Sequence, residues 1–124
     1  LKSKHLEKAL MQFAEEGAAK VFKPNLGSGF IIGVIGSLQF DVLASRIKLE
    51  YGLPVRFEQS QFTSARWVSG AKNDLDKFSS ENKQYIATDH DNDLVFLTRI
   101  QWDIDRVERD YPKIHLSATK EMMR

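Results

Sequence analysis

The residues with the most chemical potential lie in the turn Asp89-His90-Asp91-Asn92-Asp93, where three carboxylates alternate with an imidazole and an amide. Asp89, Asp91 and Asp93 match the first three ligands of a calcium loop. The sixth position is Leu94, where that loop needs glycine, and the twelfth is Ile100, where it needs a bidentate glutamate. The turn is therefore expected to be acidic and solvated, not metal-binding. His5, His90 and His115 are scattered over separate segments with no HxxxH or HxxE pairing, which argues against a metal site elsewhere.

Other chemistries fail for equally specific reasons. Nucleotide phosphates need a Gly-rich turn followed by Lys and Ser/Thr, to supply amides, charge and a magnesium ligand. Gly27-Ser28-Gly29 sits in an expected hairpin turn, and Gly33-Val34-Ile35-Gly36 has no following Lys, so both read as turn and packing glycines. Neither Ser28 nor Ser37 lies in a G-x-S-x-G elbow, and a helix-capping role accounts for Ser37. With no cysteine, thiol catalysis, disulfides and thiolate metal sites are excluded. Trp67 and Trp102 fall in an expected strand and helix, where aromatic rings pack more often than they stack on bases. The remaining candidates are basic. Lys20, Lys23, Arg46, Lys48, Arg56 and Arg66 could form a phosphate-contacting face, and they read equally well as ordinary solvated charges.

Composition sets the wider bounds. With 124 residues, 42% of them hydrophobic and 28% charged, the chain is expected to be one soluble domain with its own core. No apolar run approaches the length of a membrane span, and no secretory leader is recognised, which implies a cytoplasmic protein with no membrane partner. Net charge is +1, but residues 1–72 carry ten Lys/Arg against six Asp/Glu, and the rest is acidic. That asymmetry fits either a mixed solvated surface or an RNA-facing first part.

The elements that must position these residues follow from periodicity. Ser3 is a candidate N-cap for a helix in which Leu6, Ala9, Leu10 and Phe13 recur at helical spacing up to Gly17. Ala19–Phe22 and Phe30–Ile35 read as a hairpin around Asn25–Gly29, the second strand apolar enough to be central. Ser37 is expected to cap a helix with Phe40, Leu43, Ala44 and Ile47 inward and Asp41, Ser45 and Lys48 opposite. Pro54 bars its continuation, and Val55–Glu58 alternates as a strand would. Ala65–Val68 reads as a further strand, and 71–82 as a polar surface helix with Leu75 and Phe78 inward. A hairpin of Tyr85–Thr88 and Leu94–Thr98 follows. The next helix has Ile100, Ile104, Val107 and Tyr111 on one face and an Asp105–Arg109 pair. Ile114–Ala118 reads as a last strand, followed by a frayed tail of residues 119–124. Adjacent hairpin strands make the sheet antiparallel, so the expected class is α+β: a ferredoxin-like α/β plait over 1–70 with an α/β C-terminal extension over 71–124.

The motifs also carry a resemblance. Ala9-Leu-Met-Gln-Phe-Ala-Glu-Glu-Gly17 is similar to the segment that opens domain III of elongation factor G and of bacterial peptide-chain release factor 3. Gly33–Tyr51 resembles the second half of the same plait. Elongation factor G has a G-E-L-H-L step, whereas Leu38-Gln39-Phe40-Asp41-Val42 and Thr63-Ser-Ala-Arg-Trp-Val68 resemble the release factor form. The likeness continues through Arg109-Asp-Tyr-Pro112 and covers essentially the whole chain.

This resemblance implies a C-terminal domain whose parent also has GTPase and β-barrel domains, with GTP and Mg held by the GTPase domain and no cofactor here. It implies a first plait strand just upstream of Leu1, and an open sheet edge covered by a strand from residues 85–118 or by a neighbouring chain. Functionally it implies docking on the small ribosomal subunit near protein S12 and ribosomal RNA, with the six basic residues as candidate contacts. Stop-codon-reading release factors would be indirect partners, recycled from the ribosome in translation termination, and DNA would not be a partner. No catalytic role is expected of this chain. The alternatives are a plait from another translational GTPase, such as an elongation factor G homologue, or a small-molecule regulatory plait.

Overall fold

The structure, a computed structural model, describes residues 2–27 and 29–120; Ser28 and residues 121–124 of the expected tail lie outside the described residues. The chain divides into two compact units, Leu1–Val21 with Ile31–Gln59 and Phe22–Phe30 with Ser60–Arg124.

In the first unit, α1 (Lys2–Glu16) buries Ala9, Leu10 and Phe13. Ser3 lies inside this helix, not ahead of it as a cap. Its end is set by Gly17 at φ 77°, where the amides of Gly17 and Ala18 donate to the carbonyls of Ala14 (3.2 Å) and Phe13 (2.9 Å). This is the bond pair of a glycine-terminated helix. The second helix, α2 (Leu38–Tyr51), buries Leu43 and Ile47 and half-buries Phe40 and Ala44. Ser37 does not cap it with its side chain: at φ −60° and ψ −28° its backbone is already helical. That conformation differs from the extended one that turns a capping oxygen toward the first amides. The first turn closes instead through Gln39 N–H to Gly36 O (3.0 Å) and Phe40 N–H to Ser37 O (3.2 Å).

Two expected strands are corrected here. The apolar run Phe30–Ile35 gives only the short β2 (Ile31–Gly33), whose residues are half-buried, and Ile35 is fully exposed. The chain leaves the ladder after Gly33 to reach the bend at Gly36, so apolar type does not translate into depth. Val55–Glu58 keeps its alternation, with Val55 and Phe57 half-buried and Arg56 and Glu58 exposed. Phe57 packs on Phe40 with ring centroids 5.0 Å apart. The segment is no strand, because it finds no ladder partner among the described residues.

In chain order the remaining elements are β1 (Lys20–Pro24), β3 (Ser64–Ser69), α3 (Lys72–Glu81), a 3-10 turn over Lys83–Tyr85, β4 (Ile86–Thr88), β5 (Leu94–Thr98), α4 (Gln101–Asp110) and β6 (His115–Ser117). The sheet order is β2-β1-β4-β5-β3-β6. The registers of β1 with β4, β4 with β5, β5 with β3 and β3 with β6 are all antiparallel. The class is thus α+β and plait-like, as the hairpin order requires. From within 85–118, β4 pairs with β1, while β2 ends the sheet.

Within the second unit, alternation sends Val68, Ile86 and Phe96 to one face, where they pack with Phe78, Val107 and Ile114. Phe78 is wholly buried, its ring edge-on to Phe96 (5.4 Å) and Tyr111 (5.2 Å). Trp67, Ala87, Val95 and Leu97 alternate with that set and are buried too, with Phe22 tilted against Trp67 at 6.0 Å. In α4 the inward residues are Ile104 and Val107, as expected, but Ile100 and Trp102 are exposed. The expected Asp105–Arg109 pair is replaced by Gln101 Nε2 to Asp105 (3.2 Å) and Arg109 Nε to Asp110 (3.0 Å).

Phe78→Ala should destabilise the chain by about 3–5 kcal/mol, while Leu26→Ser, at an exposed site, should stay within about 0.5 kcal/mol. Urea unfolding followed by circular dichroism measures both. Comparable losses would contradict the assigned core.

Candidate functional site

The six basic candidates are distributed over both units. In the first, Arg46 and Lys48 lie on α2, two residues and so about 200° apart around the axis, which puts them on different faces. Lys48 is exposed. Arg46 is half-buried and committed: Nη1 and Nη2 donate to Glu16 Oε1 (2.9 Å) and Oε2 (3.2 Å), and Nε donates to Glu50 Oε2 (3.1 Å). Its guanidinium also lies 4.6 Å from the centre of the Phe13 ring. These bonds raise the Arg46 pKa and hold Glu16 below the usual carboxylate range, the Arg46 hydrogen bond being the largest cause. Tyr51 adds a hydroxyl bond to Gln12 Oε1 (3.1 Å), so α1 and α2 are joined at two polar points.

Arg56 is strongly exposed, with Glu58 3.9 Å away, and Lys20 is exposed at the start of β1. In the second unit Lys23 is exposed on β1, while Arg66 is half-buried on β3 and donates to the Ala65 carbonyl (3.0 Å). Two strands, β4 and β5, separate Lys23 from Arg66 in the sheet.

A cleft of about 440 Å³ opens in the first unit between the start of α2 and the extended segment. Ser37, Phe40, Asp41, Ala44, Val55, Arg56 and Phe57 line it. Ser37 is its only hydroxyl and no imidazole borders it, so the lining offers no nucleophile–base pair. What it presents is an aromatic floor with one cation and one carboxylate at the rim.

The acidic turn differs from the solvated loop expected of it. Asp89 is buried and accepts hydrogen bonds from Trp67 Nε1 (2.9 Å) and from the amides of Asp91 and Asp93 (2.9 Å each). Lys120 Nζ lies 3.1 Å from Asp89, 2.5 Å from Asp91 and 2.7 Å from Asp93. Asp89, His90 and Asp91 offer ligand atoms within 4.8 Å of one another, and the cation among these carboxylates is the lysine. Burial pushes the Asp89 pKa up, but Trp67, the turn amides and Lys120 together outweigh it and leave the group below its ordinary value. The alternating aspartates signal such a turn in the sequence, since a short carboxylate readily takes the amides two and four residues on. Nothing local signals Lys120, which arrives from 29 residues beyond Asp91.

A second buried carboxylate, Asp103, takes the Arg99 amide (2.8 Å) and the Arg99 guanidinium (3.1 Å) at the start of α4. Burial raises its pKa, and these bonds more than offset that. Asn82 accepts from Arg106 (2.8 Å) and donates to Phe78 O (2.8 Å), with Tyr111 donating to Glu81 (2.7 Å) alongside. These networks close helix ends and are spent on structure.

Both units thus use their best-placed polar groups internally, while Lys23, Lys48 and Arg56 stay exposed. The family model for the class II release factor RF3, C-terminal domain, matches residues 1–108. The chain belongs to that family. As an RF3 C-terminal domain it is a non-catalytic part of a translational GTPase and has its place in translation termination and protein biosynthesis. The first 108 residues reach well beyond the expected plait core and include the acidic turn, β5 and most of α4. Among the described residues, no helix is long and apolar enough to cross a membrane.

The acidic turn yields a pH prediction. A carboxyl held below its unfolded value adds stability that is present above the unfolded pKa, near 3.8 for Asp, and is lost as pH falls through the folded value. Stability should therefore drop more steeply in the native chain than in Asp89→Asn as pH is lowered from about 5 to 2. Urea midpoints across that range test this, and parallel profiles would contradict it.

Proposed function

We propose that this RF3 C-terminal domain docks on the small ribosomal subunit, near protein S12 and ribosomal RNA. On this reading, GTP and Mg are bound in another domain of the parent protein, which hydrolyses GTP and drives stop-codon-reading release factors off the ribosome in the cytoplasm. The observation that carries the proposal is the family match over residues 1–108.

Physical features support it. A docking domain contributes binding energy that differs between two ribosome conformations, and it can shift their equilibrium only by that difference. It therefore needs a fixed shape and accessible charge, not a reactive pocket. Rigidity is favoured by the Arg46 clamp in the first unit and by the doubly buried sheet in the second. Lys23, Lys48 and Arg56 supply accessible positive charge, and phosphate contacts from such side chains make binding salt-sensitive. Arg46 is a weaker candidate contact than the sequence suggests, because a phosphate would have to compete with two carboxylates already bonded to it.

Added in excess to the full-length factor and ribosomes, the chain should inhibit release-factor recycling at low salt and inhibit less at high salt. Lys48→Glu with Arg56→Glu should weaken that inhibition and lower the salt slope by about 2. No inhibition at low salt would remove the docking role from this domain.

A further inference from the structure

Helix α2 carries apolar residues on both of its faces. Opposite the buried Leu43 and Ile47, three large side chains stand in solvent: Leu38 at 78% exposure, Val42 at 57% and Leu49 at 82%. With the exposed Ser45 they fall at four-three-four spacing, so they form one narrow stripe. That is the a/d seam of a coiled coil, not the broad face that buries a helix against a globular core. Three residues ahead of Leu38, Ile35 adds a fourth apolar side chain, this one fully exposed.

The stripe is flanked on one edge by Asp41 and Lys48, both exposed, and neither has an ion-pair partner among the described residues. On the other edge Arg46 is already bonded to Glu16 and Glu50. We propose that the stripe is a self-association surface, on which α2 of a second copy of this chain lies antiparallel.

The charges select both the partner and its direction. A twofold axis perpendicular to two antiparallel helices places the same edge of each side by side with the direction reversed. Residues whose numbers add to about 87–89 then face each other. Asp41 meets Lys48 of the partner subunit, Lys48 meets Asp41 of the partner subunit, and Leu38 lies near Leu49 of the partner subunit at both ends. Every exposed charge on that edge finds its opposite without a change of sequence. A parallel pairing would set Asp41 against an arginine whose hydrogen bonds are already taken.

The surface is small. A seam of 14 residues is about 21 Å long and a helix about 10 Å across, so it covers on the order of 200 Å², well short of the roughly 800 Å² per partner typical of stable complexes. Association is therefore weak, with a dissociation constant on the order of 100 µM, and the chain is mostly monomeric when dilute.

Sedimentation equilibrium of the 124-residue chain from about 5 µM to 1 mM tests this, with the weight-average mass expected to rise from 14.2 kDa toward twice that value. Leu49→Glu should keep the chain monomeric throughout. Asp41→Lys should weaken association at least about tenfold by facing Lys48 of the partner subunit with a like charge, and Asp41→Lys with Lys48→Asp should restore it. All three positions are exposed, and circular dichroism should confirm that the variants fold. A chain that stays monomeric at every concentration overturns the proposal and leaves the stripe to a different protein. Association unaffected by Leu49→Glu, or a charge swap that fails to rescue, overturns it as well.

Discussion

The second unit depends on β5, a strand that has no free side. Its edges pair with β4 and β3, and Val95, Phe96, Leu97 and Thr98 are buried in succession, so side chains on both faces are withdrawn from water. Such a strand must satisfy every polar group internally, because an unpaired one would cost about 1–3 kcal/mol. Thr98 meets that demand through a hydrogen bond with Ser64 on the neighbouring strand, and Thr63 closes the end of the ladder on the carbonyl of Arg99 (2.9 Å). Asp103 then ties the same arginine into the start of α4. One buried strand thus dictates the polar chemistry at its margin, and that chemistry holds structure together.

The first unit reaches a similar result by electrostatics. Glu16 ends α1 and Arg46 sits mid-way along α2, and a two-point guanidinium–carboxylate contact fixes distance and angle together. The Phe13 ring beneath the guanidinium makes the site one that lysine would not fill equally well. Arg46, a candidate phosphate contact by sequence, is a fastener, and the exposed charge rests on less entangled residues such as Lys48 and Arg56. The proposed docking would draw on the available charge and leave the spent charge in place.

Much of this was legible in the sequence. The four helices, the β4–β5 hairpin and the buried positions Phe13, Leu43, Ile47, Phe78 and Val107 follow from periodicity and glycine punctuation, which are local signals. Three failures share a physical cause, dependence on a partner distant in sequence, whereas the Ser37 cap and the Asp105–Arg109 pair gave way to neighbours in the chain. Val55–Glu58 alternates properly and lacks a ladder partner, and no window of its own residues reveals that. Phe30–Ile35 is apolar enough for a central strand, yet β2 stands at the sheet's end and Ile35 is in water. Asp89 looked solvated because its turn is acidic, whereas Trp67 and Lys120 converge on it from 22 residues before and 31 residues after. The release-factor resemblance succeeded because motif order compresses such distant constraints into a recognisable string. It could not say which cations remain accessible, since that depends on what each one bonds to in the fold.

The role proposed for this domain is charge-dependent docking on the ribosome with no chemistry of its own. The most direct measurement is the equilibrium affinity of the 124-residue chain for isolated small ribosomal subunits, taken at several salt concentrations. Binding should be saturable, with the logarithm of affinity falling linearly with the logarithm of salt at a slope of about −2 or steeper from two or more phosphate contacts. Affinity that is absent at low salt, or that does not change with salt, would contradict it.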